Sequence, residues 1–231
     1  MMKFKKGDTI VEVTLAITIF SMVAIGGVTL MNMGVNTAQA SLQLVMAREA
    51  LDAQAEALRM IHNAYVASSG SPEANSIASH WVKIVGKVVS TVPKFGSGGQ
   101  TCQQVIDKST GRFVIDTRSL RNGSSVNPIN TTIKNPTTFP RLVYGYAADS
   151  NEVAKDTGTL QGAEGLWVQA VPSVKDPVYN SNLAYDFHIR ACWSAPGKTA
   201  PSTIGTIIRL YSPIDASAST SGDEPAECLE L

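Results

Sequence analysis

Charge is scarce in this chain and evenly balanced. Only 16% of its 231 residues are charged, with 19 basic and 19 acidic side chains and a formal net charge of zero. A sequence pI of about 6.8 leaves no electrostatic footprint for nucleic acid. Histidine is almost missing: His62, His80 and His188 fall in three separate segments, without the i, i+4 or Cys-x-x-Cys partners that a metal site needs. No G-x-S-x-G nucleophile motif occurs, and there is no lipobox cysteine. The run Gly96-Ser97-Gly98-Gly99 lacks the Lys-Ser/Thr and the preceding strand of a phosphate loop, so it reads as a linker. Asp149-Ser150-Asn151-Glu152-Val153 begins like a calcium loop, but its fifth position is Val153 and the bidentate glutamate is missing. These absences argue against an enzyme, and no catalytic, cofactor-binding or metal residue is assigned. The three cysteines, Cys102, Cys192 and Cys228, fit an exported chain in which one disulfide forms and one thiol is left over.

Charge is most completely absent from residues 13–47, which contain none. Residues 13–31 are about as long as a helix needs to cross a bilayer, roughly 20 residues. Lys3, Lys5 and Lys6 precede this run, which keeps the short N-terminus cytoplasmic and sends the rest outward. Glu12 stands at the edge of the apolar run. A carboxylate there is expensive and is by default a functional candidate, although a helix-start charge at the headgroup level is the simpler account of it.

A short basic leader ending in Gly7, five residues to Glu12, then an uninterrupted apolar helix: over residues 3–33 this resembles the N-terminus of type IV prepilins and pseudopilins. The resemblance implies a cut between Gly7 and Asp8 by a membrane-embedded aspartyl peptidase, methylation of the new amine on Asp8, and pairing of Glu12 with the amine of a neighbouring subunit. Two opposite charges in low dielectric attract strongly where each alone is penalised. The family usually carries Phe or Met where this chain has Asp8, and a carboxylate beside the new amine could neutralise it or slow cleavage. Two rival readings remain. Ala38-Gln39-Ala40 resembles the cleavage site of a secretory signal peptide, although the apolar run is long for one and Glu12 sits wrongly in it. The other rival is an uncleaved single-pass anchor.

The remaining pattern predicts an α+β fold: a long N-terminal α-helix, transmembrane in its first half, packed on a C-terminal domain with a mainly antiparallel β-sheet. Residues 1–7 are a cleaved leader and 8–67 the long helix, with 8–33 its transmembrane or filament-core part. Residues 68–213 form the globular domain, and 214–231 a flexible acidic tail. About 165 residues beyond the helix suffice for one core. The helix is roughly 90 Å long at about 1.5 Å per residue. Its second half carries an apolar stripe of Ala40, Leu44, Ala47, Leu51, Ala55, Leu58, Ile61 and Tyr65, with Arg48, Asp52, Glu56 and Arg59 off it. Ser68-Ser69-Gly70 ends it. Residues 72–90 read as a second helix, capped by Ser71 with Pro72 in the first turn. From about 102 the period changes to that of strands, at 112–116, 139–147, 165–171, 184–193 and 203–211. The clearest alternation puts Phe187, Ile189, Ala191 and Trp193 on one face, and a hairpin joins the last two strands. Residues 117–138 and 148–164 read as exposed loops. Asn122-Gly123-Ser124 and Asn130-Thr131-Thr132 match the N-glycosylation pattern.

A Cys192–Cys228 bridge would resemble the C-terminal disulfide loop of many pilins, whereas Cys102–Cys192 would tie the best strand to the loop after the second helix. Chain entropy does not choose between them; the mobile composition of the tail tips the balance to Cys102–Cys192. The resemblance implies a homopolymer, anchored in the membrane through residues 8–33 before prepilin peptidase and pilus assembly machinery draw it into an extracellular filament for adhesion or motility. Its surface loops would meet a host-cell or surface ligand. A pseudopilin of a secretion or DNA-uptake machine shares these features. Glu12 favours a subunit within the shaft, because minor pilins often lack the glutamate. A single-pass or secreted cell-surface binding protein is the alternative of another class.

Overall fold

Helix α1 runs without a break from Asp8 to Ala67, 60 residues with no proline among them. Gly26, Gly27 and Gly34 lie inside it without interrupting it. It stops where expected: the Gly70 N–H donates to the Tyr65 carbonyl at 3.4 Å, and Gly70 adopts φ 76°, a left-handed conformation cheap only for glycine. The computed structural model describes residues 8–68, 70, 72–74, 76–95, 100–121, 128–136, 138–148, 154–175, 182–198 and 200–212. Outside these fall the leader, the 96–99 glycine run, the Asn122 sequon, the 149–153 segment and the acidic tail. The chain divides into two units, Met1–Val45 and Met46–Leu231; α1 contributes to both.

The architecture is α+β, with a long apolar N-terminal helix and a C-terminal domain of mainly antiparallel sheets. Within the second unit, Ala47, Leu51, Ala55, Leu58 and Ile61 are buried along one stripe of α1, while Arg48, Asp52, Glu56 and Arg59 are exposed and Glu56 pairs with Arg59. After α1 come α2 (Ser79–Val85), α3 (Cys102–Lys108), β1 (Val114–Ile115), α4 (Thr117–Arg121), β2 (Ile129–Asn130), β3 (Ile133–Lys134), β4 (Arg141–Ala148), β5 (Ala154–Glu164), β6 (Leu166–Lys175), β7 (Asn182–Trp193) and β8 (Ser202–Tyr211).

The helix expected over 72–90 shrinks to α2. Trp81 and Ile84 point inward as their spacing requires, but the serines before them do not support a helix. Ser76 and Ser79 turn their hydroxyls onto the Glu73 and Ser76 carbonyls at 2.7 Å each, the local competition that favours turns. Beyond Gly86 the β-branched Val88, Val89, Thr91 and Val92 leave the helix, and the Val89 N–H donates to the Ala170 carbonyl of β6 at 2.9 Å.

Two stretches read as loops carry structure. Within 117–138 lie α4, β2 and β3, and 148–164 contains the eleven-residue β5. Strand β5 has few β-branched residues and two glycines, so its extended form comes from pairing with β4 and, in parallel, with β3. Gly162, at φ 149°, lets the Thr132 backbone approach where a side chain would collide. The sheet β6-β7-β8 is buried on both faces over much of its area. Trp81 packs against Tyr185 and Phe187 on one face, with ring centroids 6.1 and 5.7 Å away, and against His62 of α1 at 4.9 Å. On the other, Phe95 lies on Trp167 with centroids 5.9 Å apart and under the Arg190 guanidinium at 4.6 Å, while Arg190 also donates to the Pro93 carbonyl. Cys192 is bonded to Cys102, with Cα atoms 5.6 Å apart, so the bridge is Cys102–Cys192. This second layer explains why Arg190 and Cys192, on the face opposite Phe187, are also buried.

Candidate functional site

The candidate site is the first half of α1. Every large apolar side chain described from Ile10 to Met33 is at least half exposed, from Val13 at 55% to Met22 at 78%. Covering them would yield on the order of 20 kcal/mol at about 1.5–3 kcal/mol per fully buried side chain. The hydroxyls interspersed among them make no demand on solvent. Thr18, Ser21, Thr29 and Thr37 each donate to the carbonyl four residues earlier, at 2.7, 2.7, 2.9 and 2.9 Å, and Thr14 donates to Val11 at 3.0 Å. The segment thus offers hydrocarbon, with its hydroxyl groups satisfied internally, as a lipid-facing helix requires. It is the one described helix long and apolar enough to cross a membrane.

Asp8 is the first residue of α1, and Glu12 lies one turn on, exposed. Glu12 is the only ionisable side chain from Ile10 to Ala47. Gly7, Lys3, Lys5 and Lys6 lie outside the described residues. Among the described residues, the loci read as chemically unassigned from sequence stay apart. His62 Nε2 lies 2.7 Å from the Tyr211 carbonyl; because a carbonyl only accepts, Nε2 carries the hydrogen. His80 is buried, and burial, with Lys83 nearby, holds its pKa below 6.5. His188 is likewise held low by burial and by Arg190. No three His, Cys, Asp or Glu side chains converge among the described residues.

Sequence reasoning missed several polar groups in the second unit. Gln54 is 1% exposed on α1; its Nε2 donates to the Ile115 carbonyl and its Oε1 accepts from the Ile115 N–H, both at 2.8 Å. Gln169 donates to the Thr110 carbonyl at 2.8 Å and accepts from Trp167 Nε1 at 3.2 Å. Asp116 starts α4 by accepting from the Arg118 N–H at 3.0 Å, and from the Tyr144 hydroxyl at 3.1 Å. Burial and that carboxylate push the Tyr144 pKa up to about 12. A groove of about 550 Å³ between α1 and α4 is lined by Ala53, Glu56, Ala57, Met60 and Arg118. Its charges are engaged, Glu56 with Arg59 and Arg118 over the Tyr144 ring at 3.8 Å. No family model, curated protein or solved structure matches this chain.

Proposed function

We propose that the protein is a non-catalytic structural subunit of a type IV pilus-like extracellular filament, processed after Gly7 and assembled through α1. The observation that carries this reading is the division of labour along one helix. Its first half presents unburied hydrocarbon in which Glu12 is the only carboxylate after Asp8, while its second half buries an apolar stripe in an α+β domain. A membrane covers the first half before assembly, and the same half of neighbouring copies covers it afterwards. A head-to-tail contact of this kind does not close and so propagates as a fibre. Glu12 then meets the Asp8 amine of a neighbour, a pairing worth most where water is excluded.

The test is the mature N-terminus of material sheared from cells, read by intact mass. A chain beginning at methylated Asp8 is expected, with fibres lost in a Glu12→Ala variant that is still processed. A chain beginning at Ser41 would mean a signal peptide and a soluble exported domain, ending the filament reading. An intact Met1 would leave a membrane-anchored binding protein.

A further inference from the structure

The two outer edges of the sheet β6-β7-β8 differ. The edge at β6 is closed: Phe113 forms an antiparallel bridge with Val168, Val89 donates to Ala170, the register shifts twice near Val174, and Pro172 removes a donor. Among the described residues, the edge at β8 has none of these protections. Its ten residues pair with β7 in unbroken register from Ser202 to Tyr211, with no internal proline and one charge, Arg209. That charge is held on its own sheet by a two-pronged bond to Asp186, at 2.7 and 2.9 Å. The Ser212 N–H donates to Leu183 of β7 at 2.8 Å, so by the two-residue period even-numbered residues face β7 and odd-numbered ones face away. Tyr211 spends its outward carbonyl on His62. Thr203, Gly205, Ile207 and Arg209 make no outward backbone bond among the described residues, and all four are exposed, Ile207 at 60%. A long edge in unbroken register and rich in β-branched residues is a template for another strand.

We propose that this edge docks β8 of a second copy, antiparallel about a two-fold axis through Ile207. That register is self-complementary. Ile207 faces itself, Gly205 faces Arg209 so that no like charges oppose, Thr203 faces Tyr211, and on the other side Ile204 faces Leu210 and Thr206 faces Ile208. The outward groups of residues 205–209 make about six backbone hydrogen bonds across the axis. Two three-stranded sheets become one of six. The contact needs only the folded second unit and stands apart from the filament reading. Because a two-fold contact is closed, it adds no length to a fibre and instead joins subunits side by side.

The test is oxidative cross-linking of the full chain in mild detergent, in a Cys228→Ser background. Ile207→Cys should give a disulfide-linked dimer, since the two Cα atoms would lie about 5.5 Å apart. Tyr211→Cys, opposite Ala184 and away from the Cys102–Cys192 bond, should remain monomeric, its copies being about 27 Å apart along the paired strands. Both side chains are exposed, so neither change threatens the fold. Failure of Ile207→Cys to cross-link, as when another segment of the same chain covers the edge, overturns the proposal. Equal cross-linking at both positions, as when copies associate only through α1, overturns it too. Neither result bears on the N-terminal mass that tests the filament reading.

Discussion

Gln54 offers the sharpest test of how α1 is fastened to its domain. Its amide mimics one rung of a β-ladder, giving and taking a hydrogen bond with the backbone of Ile115, itself fully buried. Gln54→Leu keeps the volume and removes both partners at once. Each bond contributes about 1 kcal/mol net, and each orphaned buried backbone group costs about 1–3 kcal/mol; the extra apolar surface of leucine offsets about 1 kcal/mol. With both Ile115 groups orphaned, the balance is a loss of about 1–5 kcal/mol. Urea unfolding of the full chain in mild detergent measures it, followed by the fluorescence of Trp81, Trp167 and Trp193, all 2% exposed or less. Asp52→Asn, exposed on the same helix, is the control and should stay within about 0.5 kcal/mol. A Gln54→Leu variant as stable as that control would refute the idea that this side chain sews helix to strand.

Two further outcomes follow from the same fold. Replacing both Cys102 and Cys192 by serine frees a loop with a sequence separation of 90 and should cost about 4–5 kcal/mol by chain entropy, read as a lowered urea midpoint; a shift no larger than that of Cys228→Ser would refute it. Stability should fall as pH drops below about 6.5. His80 and His188 have folded pKa values below their unfolded ones, so the unfolded chain binds more protons in that range and the neutral folded form is favoured only above it. His80→Leu should flatten part of this slope between pH 7.5 and 5.5, and an unchanged slope would contradict the assignment.

What could be read in the sequence were the features whose causes are local. Helix α1 shows itself by an absence of proline and an apolar stripe at three- and four-residue steps, and Glu12 by being a charge in an uncharged run. Helix α3 was legible in principle: Thr101 and Gln104 form a capping box, the Gln104 N–H donating to Thr101 Oγ1 at 3.3 Å and the Thr101 N–H to Gln104 Oε1 at 3.0 Å. The 72–90 segment misled because Ile77, Trp81, Ile84 and Val88 keep a helical period while serine hydroxyls and β-branched residues decide against it. Strand β5 was hidden because its conformation is imposed by β4. Gln54, Gln169 and Arg190 were invisible as buried staples, their partners being backbone groups some 60 to 100 residues away in sequence.

The bond between Cys102 and Cys192 makes everything from α3 to the end of β7 a covalent ring, with α1 entering on one side and β8 leaving on the other. Tension between helix and C-terminus therefore runs across two sulfur atoms and not through the strands inside. Unfolding that interior would not lengthen the molecule. Some 300 Å of chain, at about 3.4 Å per extended residue, is withheld from any pull, so a molecule strained along its helix can lengthen only by what lies outside the ring.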